Sequence, residues 1–260
     1  MRERYGDWAV VTGASSGIGE GFARALASRG MNVVLAARRE ERLAAIAGQL
    51  AREHRVDTRV VALDLSVDGA ADRLYAAVSD LEVGVLVNNA GTGWIGRFDL
   101  QPAAELSRLV HLHCVLPVEL TSLVLARMKE RRRGAIVLVA SAGAYIPLPY
   151  YAVYGGTKAF LAMWGEALAA ELSGSGIDVL VLSPGDTKTG FQEAAGEMST
   201  RWSTVEAVVE AGIAGLGRRT TVIPGLENKA MIWLTRFLPR RLVVKMVADR
   251  QRAQTPEERR

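Results

Sequence analysis

The chain has little of what builds metal and redox centres: one cysteine, Cys114, and three histidines in 260 residues. A single thiol excludes an internal disulfide and any cysteine-based zinc site. His111 and His113 lie two apart and point to different faces of a helix, His54 stands far away, and no His-x-x-x-His spacing occurs. No catalytic metal is therefore expected. Uninterrupted apolar runs fall short of the ~18 residues that span a bilayer. The charged start, Met1 to Asp7, leads straight into a strand-like segment without the apolar core of an export signal. A cytoplasmic protein is expected. No Pro/Ser/Gly-rich linker interrupts the chain before its last residues, so one domain is expected.

What is present is an apolar, weakly charged chain with an uneven tail. Hydrophobic residues make up 49%, which argues against disorder. The net charge of +4 is carried by one end: from Arg218 onward there are eleven Lys/Arg against four Asp/Glu. The excess sits in an apolar segment without a recognition motif, which speaks against nucleic-acid binding.

Short Val/Ile/Leu-rich runs at 8–12, 32–36, 58–63, 84–88, 135–139 and 178–182 alternate with helical patterns around 17–29, 40–53, 67–80, 103–132 and 153–173. Runs apolar on both faces fit parallel strands covered by helices on both sides. The pattern predicts a doubly wound α/β fold of the Rossmann type, which binds ligands beyond the carboxyl ends of its strands.

The first strand runs into Thr12-Gly13-Ala14-Ser15-Ser16-Gly17-Ile18-Gly19 and then an amphipathic helix. Small residues in such a turn let backbone amides approach a pyrophosphate, and the helix N-terminus presents unpaired N–H groups to the anion. The second strand ends Ala36-Ala37-Arg38-Arg39. An acid at this point would hydrogen-bond the ribose hydroxyls of NAD; Ala37 removes it, and arginine forks suit the 2′-phosphate of NADP. Arg38 and Arg39 therefore point to NADP(H) as the cofactor.

Tyr154 has Lys158 four residues on, a spacing that shares one helix face. A tyrosine hydroxyl titrates at about 10, and a neighbouring ammonium lowers that value. The pair thus makes a general acid for carbonyl reduction and a general base for alcohol oxidation. Ser141, thirteen residues before Tyr154 and just past a strand, offers a hydroxyl to hold the substrate oxygen.

Together these residues closely resemble the short-chain dehydrogenase/reductase family from about residue 6 to 190. Thr12 to Gly19 is similar to its cofactor loop, with Gly13, Ser15, Ser16, Gly17, Ile18 and Gly19 as cofactor-binding candidates. Asp64-Leu65 resembles its acidic dipeptide, implying an adenine contact. Asn88-Asn89-Ala90-Gly91 resembles its N-N-A-G element, adding Asn89, Ala90 and Gly91 to the cofactor set. Pro184-Gly185, with Thr187 and Thr189, resembles the element that packs on the nicotinamide end. Ser141, Tyr154 and Lys158 match its catalytic residues. The resemblance implies a seven-stranded parallel sheet with Thr221–Ile223 as the last strand, a domain over 1–225, a substrate lid at about 188–217, and a homodimer or homotetramer.

The family usually carries asparagine where this chain has His113, holding a water in the proton relay. A modified relay through His113 is expected. The alternative is an NADP(H)-binding sensor that does not turn over. Trp94 and Phe191 are the substrate-pocket candidates, with Met198 and Trp202 also in the lid. The basic, amphipathic extension 226–260 has three readings: contact with an anionic membrane surface through 226–248, cover for a bulky lipophilic substrate, or packing on a partner subunit or its own core.

Overall fold

The computed structural model describes residues 1–189 and 203–259. Its frame is a parallel sheet of β1 (Trp8–Thr12), β2 (Asn32–Ala37), β3 (Thr58–Ala62), β4 (Val83–Asn88), β5 (Gly134–Val139), β6 (Ile177–Leu182) and β7 (Thr221–Val222). Their order is β3-β2-β1-β4-β5-β6-β7. The chain winds outward from β1 in one direction, then crosses back to β4 and winds the other way. That reversal opens a crevice at the carboxyl ends of β1 and β4.

Alternating strand residues feed two cores, as the period of two requires. Val11, Val33, Leu35, Val85, Val87 and Val137 pack on one side with α2 (Gly17–Ala27), α3 (Glu40–His54) and α8 (Val205–Gly215). Val10, Val34, Leu86, Ile136 and Leu138 pack on the other with α4 (Ala70–Ala76), α6 (Leu116–Arg131) and α7 (Ala152–Glu171). Edge strand β3 is half-buried, whereas β2, β4 and β5 are buried throughout.

The run expected as one helix over 103–132 is broken in the middle. α5 (Ala103–Val110) passes into a π-helical turn, His111–Val115, before α6 begins. Pro117 has no N–H to donate to the His113 carbonyl four residues back, so the α-helical ladder cannot continue there. Leu116 N–H instead bonds the His111 carbonyl, five residues back. The extra residue rotates His113 inward, where it is fully buried. By length and mean hydropathy (1.7) Ala103–Arg131 is apolar enough to cross a bilayer. Its Leu109, Leu116, Leu120, Val124 and Met128 are buried inside the fold.

Within the span expected as a lid, residues 205–215 form α8, whose Val208 and Val209 are buried in the core. The last strand is only two residues long, because the chain turns at Pro224-Gly225 into α9 (Leu226–Thr235). α10 (Arg240–Gln254) and a 3₁₀ turn, Glu257–Arg259, complete the chain. Phe191, Met198 and Trp202 lie outside the described residues.

Candidate active site

The crevice at the switch in strand order is a cleft of about 680 Å³. At one end the loop after β1 turns with Gly13 at φ 68° and Gly17 at φ 58°, left-handed values that favour glycine. A Cβ on Gly13 would lie 2.8 Å from the Asn89 side-chain nitrogen, and one on Gly19 would collide with the Gly13 carbonyl. Gly13, Ser15, Ser16, Gly17 and Ile18 line the cleft, while Gly19 is buried behind them and lets the helix start close. Thr12 ties this loop to the next: its Oγ1 accepts from Asn89 N–H and Ala90 N–H, both at 3.0 Å. Asn89 Nδ2 donates back to the Thr12 carbonyl at 2.9 Å.

Arg39 reaches across the loop, donating to Ser15 Oγ at 3.0 Å and Ser16 Oγ at 2.9 Å. Arg38 lines the cleft beside it, and Ala37 is buried. Asp64 accepts from Ser66 N–H and Ser66 Oγ at 2.9 and 2.7 Å. Those hydrogen bonds, with Arg38 and Arg108 nearby, hold its carboxyl below the usual carboxylate range. The anion-sized cradle, the α2 N-terminus and the paired guanidinium groups fit a dinucleotide with an extra phosphate.

At the other end, Tyr154 and Lys158 stand one turn apart on α7, and Lys158 Nζ lies 5.8 Å from the tyrosine ring centre. Lys158 is buried and donates to the Val139 carbonyl at 2.8 Å. Burial pulls its ammonium down to about 8. Ser141 caps the 3₁₀ turn Ala142–Tyr145: its Oγ accepts from Gly143 N–H at 3.1 Å, which leaves the hydroxyl proton to donate. Ser141, Tyr154 and Lys158 all line the same cleft, with Leu65, Ala90, Gly91, Pro184, Gly185 and Thr187.

His113 sits behind this wall, and its contacts determine its tautomer. Nε2 accepts from Thr92 N–H at 3.0 Å, so the proton is on Nδ1, 2.9 Å from Thr157 Oγ1. Thr157 in turn donates to the Tyr154 carbonyl at 2.8 Å. The ring meets the Tyr154 ring edge-on, with centres 5.7 Å apart. Burial first, and the Lys158 charge second, push its pKa well below the ordinary histidine value. Both nitrogens are taken by protein partners, so the imidazole has none for a relay water. That revises the expectation of a proton relay through this side chain.

Trp94 also differs from expectation. It is not among the residues that line the cleft; the Arg259 guanidinium covers its ring at 4.8 Å. Arg97 N–H bonds the Arg259 carbonyl at 2.9 Å, so the end of the chain claims this loop. In its place the cleft takes Leu148 and Tyr151 ahead of α7, and Asn228, Met231, Val247, Arg250 and Gln251 from the extension. Sequence reasoning assigned none of these seven to the site; for the five from the extension, far along the chain, it offered only cover by the whole segment as one of three readings. The one signal was the helical spacing of Met231 with its apolar neighbours.

Known proteins share this fold. A profile of the short chain dehydrogenase family matches residues 7–200. The chain is similar to a very-long-chain 3-oxoacyl-CoA reductase of Pyricularia oryzae, 41% identical over 186 residues that cover 69% of this chain and 56% of that protein. It thus spans just over half of that relative's length. A solved 7beta-hydroxysteroid dehydrogenase superposes with a TM-score of 0.88 at 29% identity, over 95% of this chain and 98% of the other. A short-chain dehydrogenase from Sphingobium yanoikuyae in complex with NADPH superposes with a TM-score of 0.81 at 31% identity, over 90% and 97% of the two chains.

Proposed function

The chain belongs to the short-chain dehydrogenase family, and from that premise we propose that it is an NADP(H)-dependent oxidoreductase reducing a bulky ketone, 3-oxoacyl or other lipophilic carbonyl. The observation that carries this reading is that Ser141, Tyr154 and Lys158 line one cleft with the glycine loop and its two arginines. When bound, the cofactor supplies or takes up the hydride. Gly13 to Ile18 hold its phosphates, Arg38 and Arg39 the 2′-phosphate, and Asp64-Leu65 the adenine. Asn89, Ala90, Gly91, Pro184, Gly185 and Thr187 line the path to the nicotinamide end.

The chain's own residues do the acid–base work. Ser141 donates its hydroxyl proton to the substrate oxygen and orients it. Tyr154 gives that oxygen its proton in reduction and removes it in oxidation. Lys158, one turn on, favours the phenolate by its charge. His113 keeps a place in the site through Thr92 and Thr157, as a support for the tyrosine helix.

Leu148, Met231 and Val247 give the cleft an apolar side, which supports a lipophilic substrate, as do the likenesses to a very-long-chain 3-oxoacyl-CoA reductase and a 7beta-hydroxysteroid dehydrogenase. Val110, Val115, Val118, Phe160 and Met163 are exposed on α5, the π turn, α6 and α7. Such a surface suits pairing with a second copy, as a cytoplasmic homodimer or homotetramer, and 226–248 suits contact with a membrane surface.

NADPH oxidation against a panel of ketones, aldehydes and acyl thioesters tests the activity, with NADH as the control. Turnover of bulky carbonyls with NADPH is expected; cofactor binding without any turnover would favour the sensor. Removing the fork with Arg39→Ala should weaken NADPH roughly 10- to 100-fold, the size of a charge-assisted hydrogen bond. NADH binding should barely change. Equal losses for both cofactors, by fluorescence titration, would show that Arg39 only braces the loop.

A further inference from the structure

The unabsorbed feature of the molecule is the outer side of the two C-terminal helices. Trp233 and Leu234 at the end of α9, Phe237 and Leu238 in the connection, and Leu242 and Met246 on α10 are all exposed, Trp233 by 60% and Phe237 by 70%. The Trp233 and Phe237 rings lie edge to face with centres 4.8 Å apart, so they form one apolar tip. Single exposed apolar side chains are ordinary, but six within fourteen residues, from Trp233 to Met246, are a concentration that calls for a partner. From Asn228 to Ala248 the chain has five Lys/Arg and no Asp/Glu. All five, Lys229, Arg236, Arg240, Arg241 and Lys245, are exposed.

Resting on the reading of the cleft as that of a reductase for lipophilic carbonyls, we propose that α9, α10 and the connection between them are a docking surface for an anionic lipid bilayer. Trp233, Phe237 and Leu238 enter the interface, while the basic side chains meet lipid phosphates. Aromatic tips favour the depth of the headgroups, and each nearby Lys or Arg adds attraction to an anionic surface. A second copy of this chain fits the patch poorly. A two-fold contact sets a patch against itself, and here it would oppose five exposed cations to five, with exposed acids only at the flanks, Glu227 and Asp249.

The inner sides of the two helices give the docking a use. Ile232 and Val243 anchor it to the fold, and Met231, Val247 and Gln251 line the cleft. Helices seated on a bilayer in this way hold one wall of the substrate cleft at the lipid surface. A carbonyl dissolved in lipid then has a short route to Tyr154.

Co-sedimentation of the full chain with phosphatidylcholine vesicles, with and without phosphatidylglycerol, tests this without turnover. Binding is expected only with the anionic lipid, and it should weaken as salt rises. Arg240→Gln with Arg241→Gln should reduce it roughly tenfold or more; Trp233→Ser with Phe237→Ser should reduce it similarly, with an unchanged circular-dichroism spectrum and NADPH affinity. No affinity for either vesicle would overturn the proposal. So would a dimer that the Trp233/Phe237 variant splits while vesicle binding is absent. Vesicle binding by a chain that oxidises no NADPH would uphold the docking surface and sink the reductase reading, so the two failures are distinct.

Discussion

Tyr154→Phe is expected to lower kcat/KM for carbonyl reduction by about 10²–10⁴-fold, the usual contribution of a placed proton donor. The loss should fall on kcat. The ring keeps its packing against Tyr151 and His113, and cofactor affinity should stay within a few fold by fluorescence titration. A loss of NADPH binding equal to the loss of rate would mean that the tyrosine only shapes the cleft. The same site carries a pH signature. Burial pulls the Lys158 ammonium down from 10.5 to about 8 in the protein without cofactor. Lys158 is therefore charged below about pH 8 and loses its proton as pH rises through that value. If its charge supports the tyrosine, kcat/KM should fall on the alkaline side of about pH 8. Lys158→Met should lie low at every pH and lose that limb. An alkaline limb that persists in Lys158→Met would assign it to another group.

His113→Ala should reduce both stability and rate. It removes a buried ring and strands Thr92 N–H, and the two effects together amount to about 2–5 kcal/mol in urea unfolding. The bond network allows a finer test. Asparagine offers a donor near the position of Nδ1 and can keep the bond to Thr157. Glutamine offers an acceptor near the position of Nε2 and can keep the bond to Thr92. Each should recover part of what alanine loses, and kcat should follow the recovery more closely than KM does. Because the ring is buried beside Lys158 and stays neutral, no rate limb near the ordinary histidine value should depend on residue 113. A limb near pH 6.5 that disappears in His113→Asn would return the imidazole to the proton relay. Nitrogen chemical shifts offer a direct check: Nδ1 should carry the proton.

Residues 93–97 show how far sequence reasoning reaches. Trp94 follows the N-N-A-G element closely, and proximity along the chain made it a pocket candidate. Its ring is covered by Arg259, more than 160 residues later. The reverse holds for Met231, Val247, Arg250 and Gln251, which nothing local marks as neighbours of Ser141, yet they line its cleft. The π turn at His111–Val115 lies between these cases. Pro117 announces a break in the hydrogen-bond ladder, but the side chain that the break turns inward depends on how the ladder repairs itself.

By itself the sequence determined the strands and helices of a doubly wound fold, the glycine cradle and the pairing of Tyr154 with Lys158, while the seven-stranded sheet and the place of Ser141 came with the family resemblance. The first three rest on strand runs, a tight turn and a one-turn helical spacing, all governed by residues a few positions apart. Only the tertiary structure decided the hydrogen-bond partners of the His113 ring, the wall supplied by α9 and α10, and the covering of Trp94. Each of these is a contact between segments far apart in the chain, and such contacts are selected by packing of the whole fold, which local pattern does not encode.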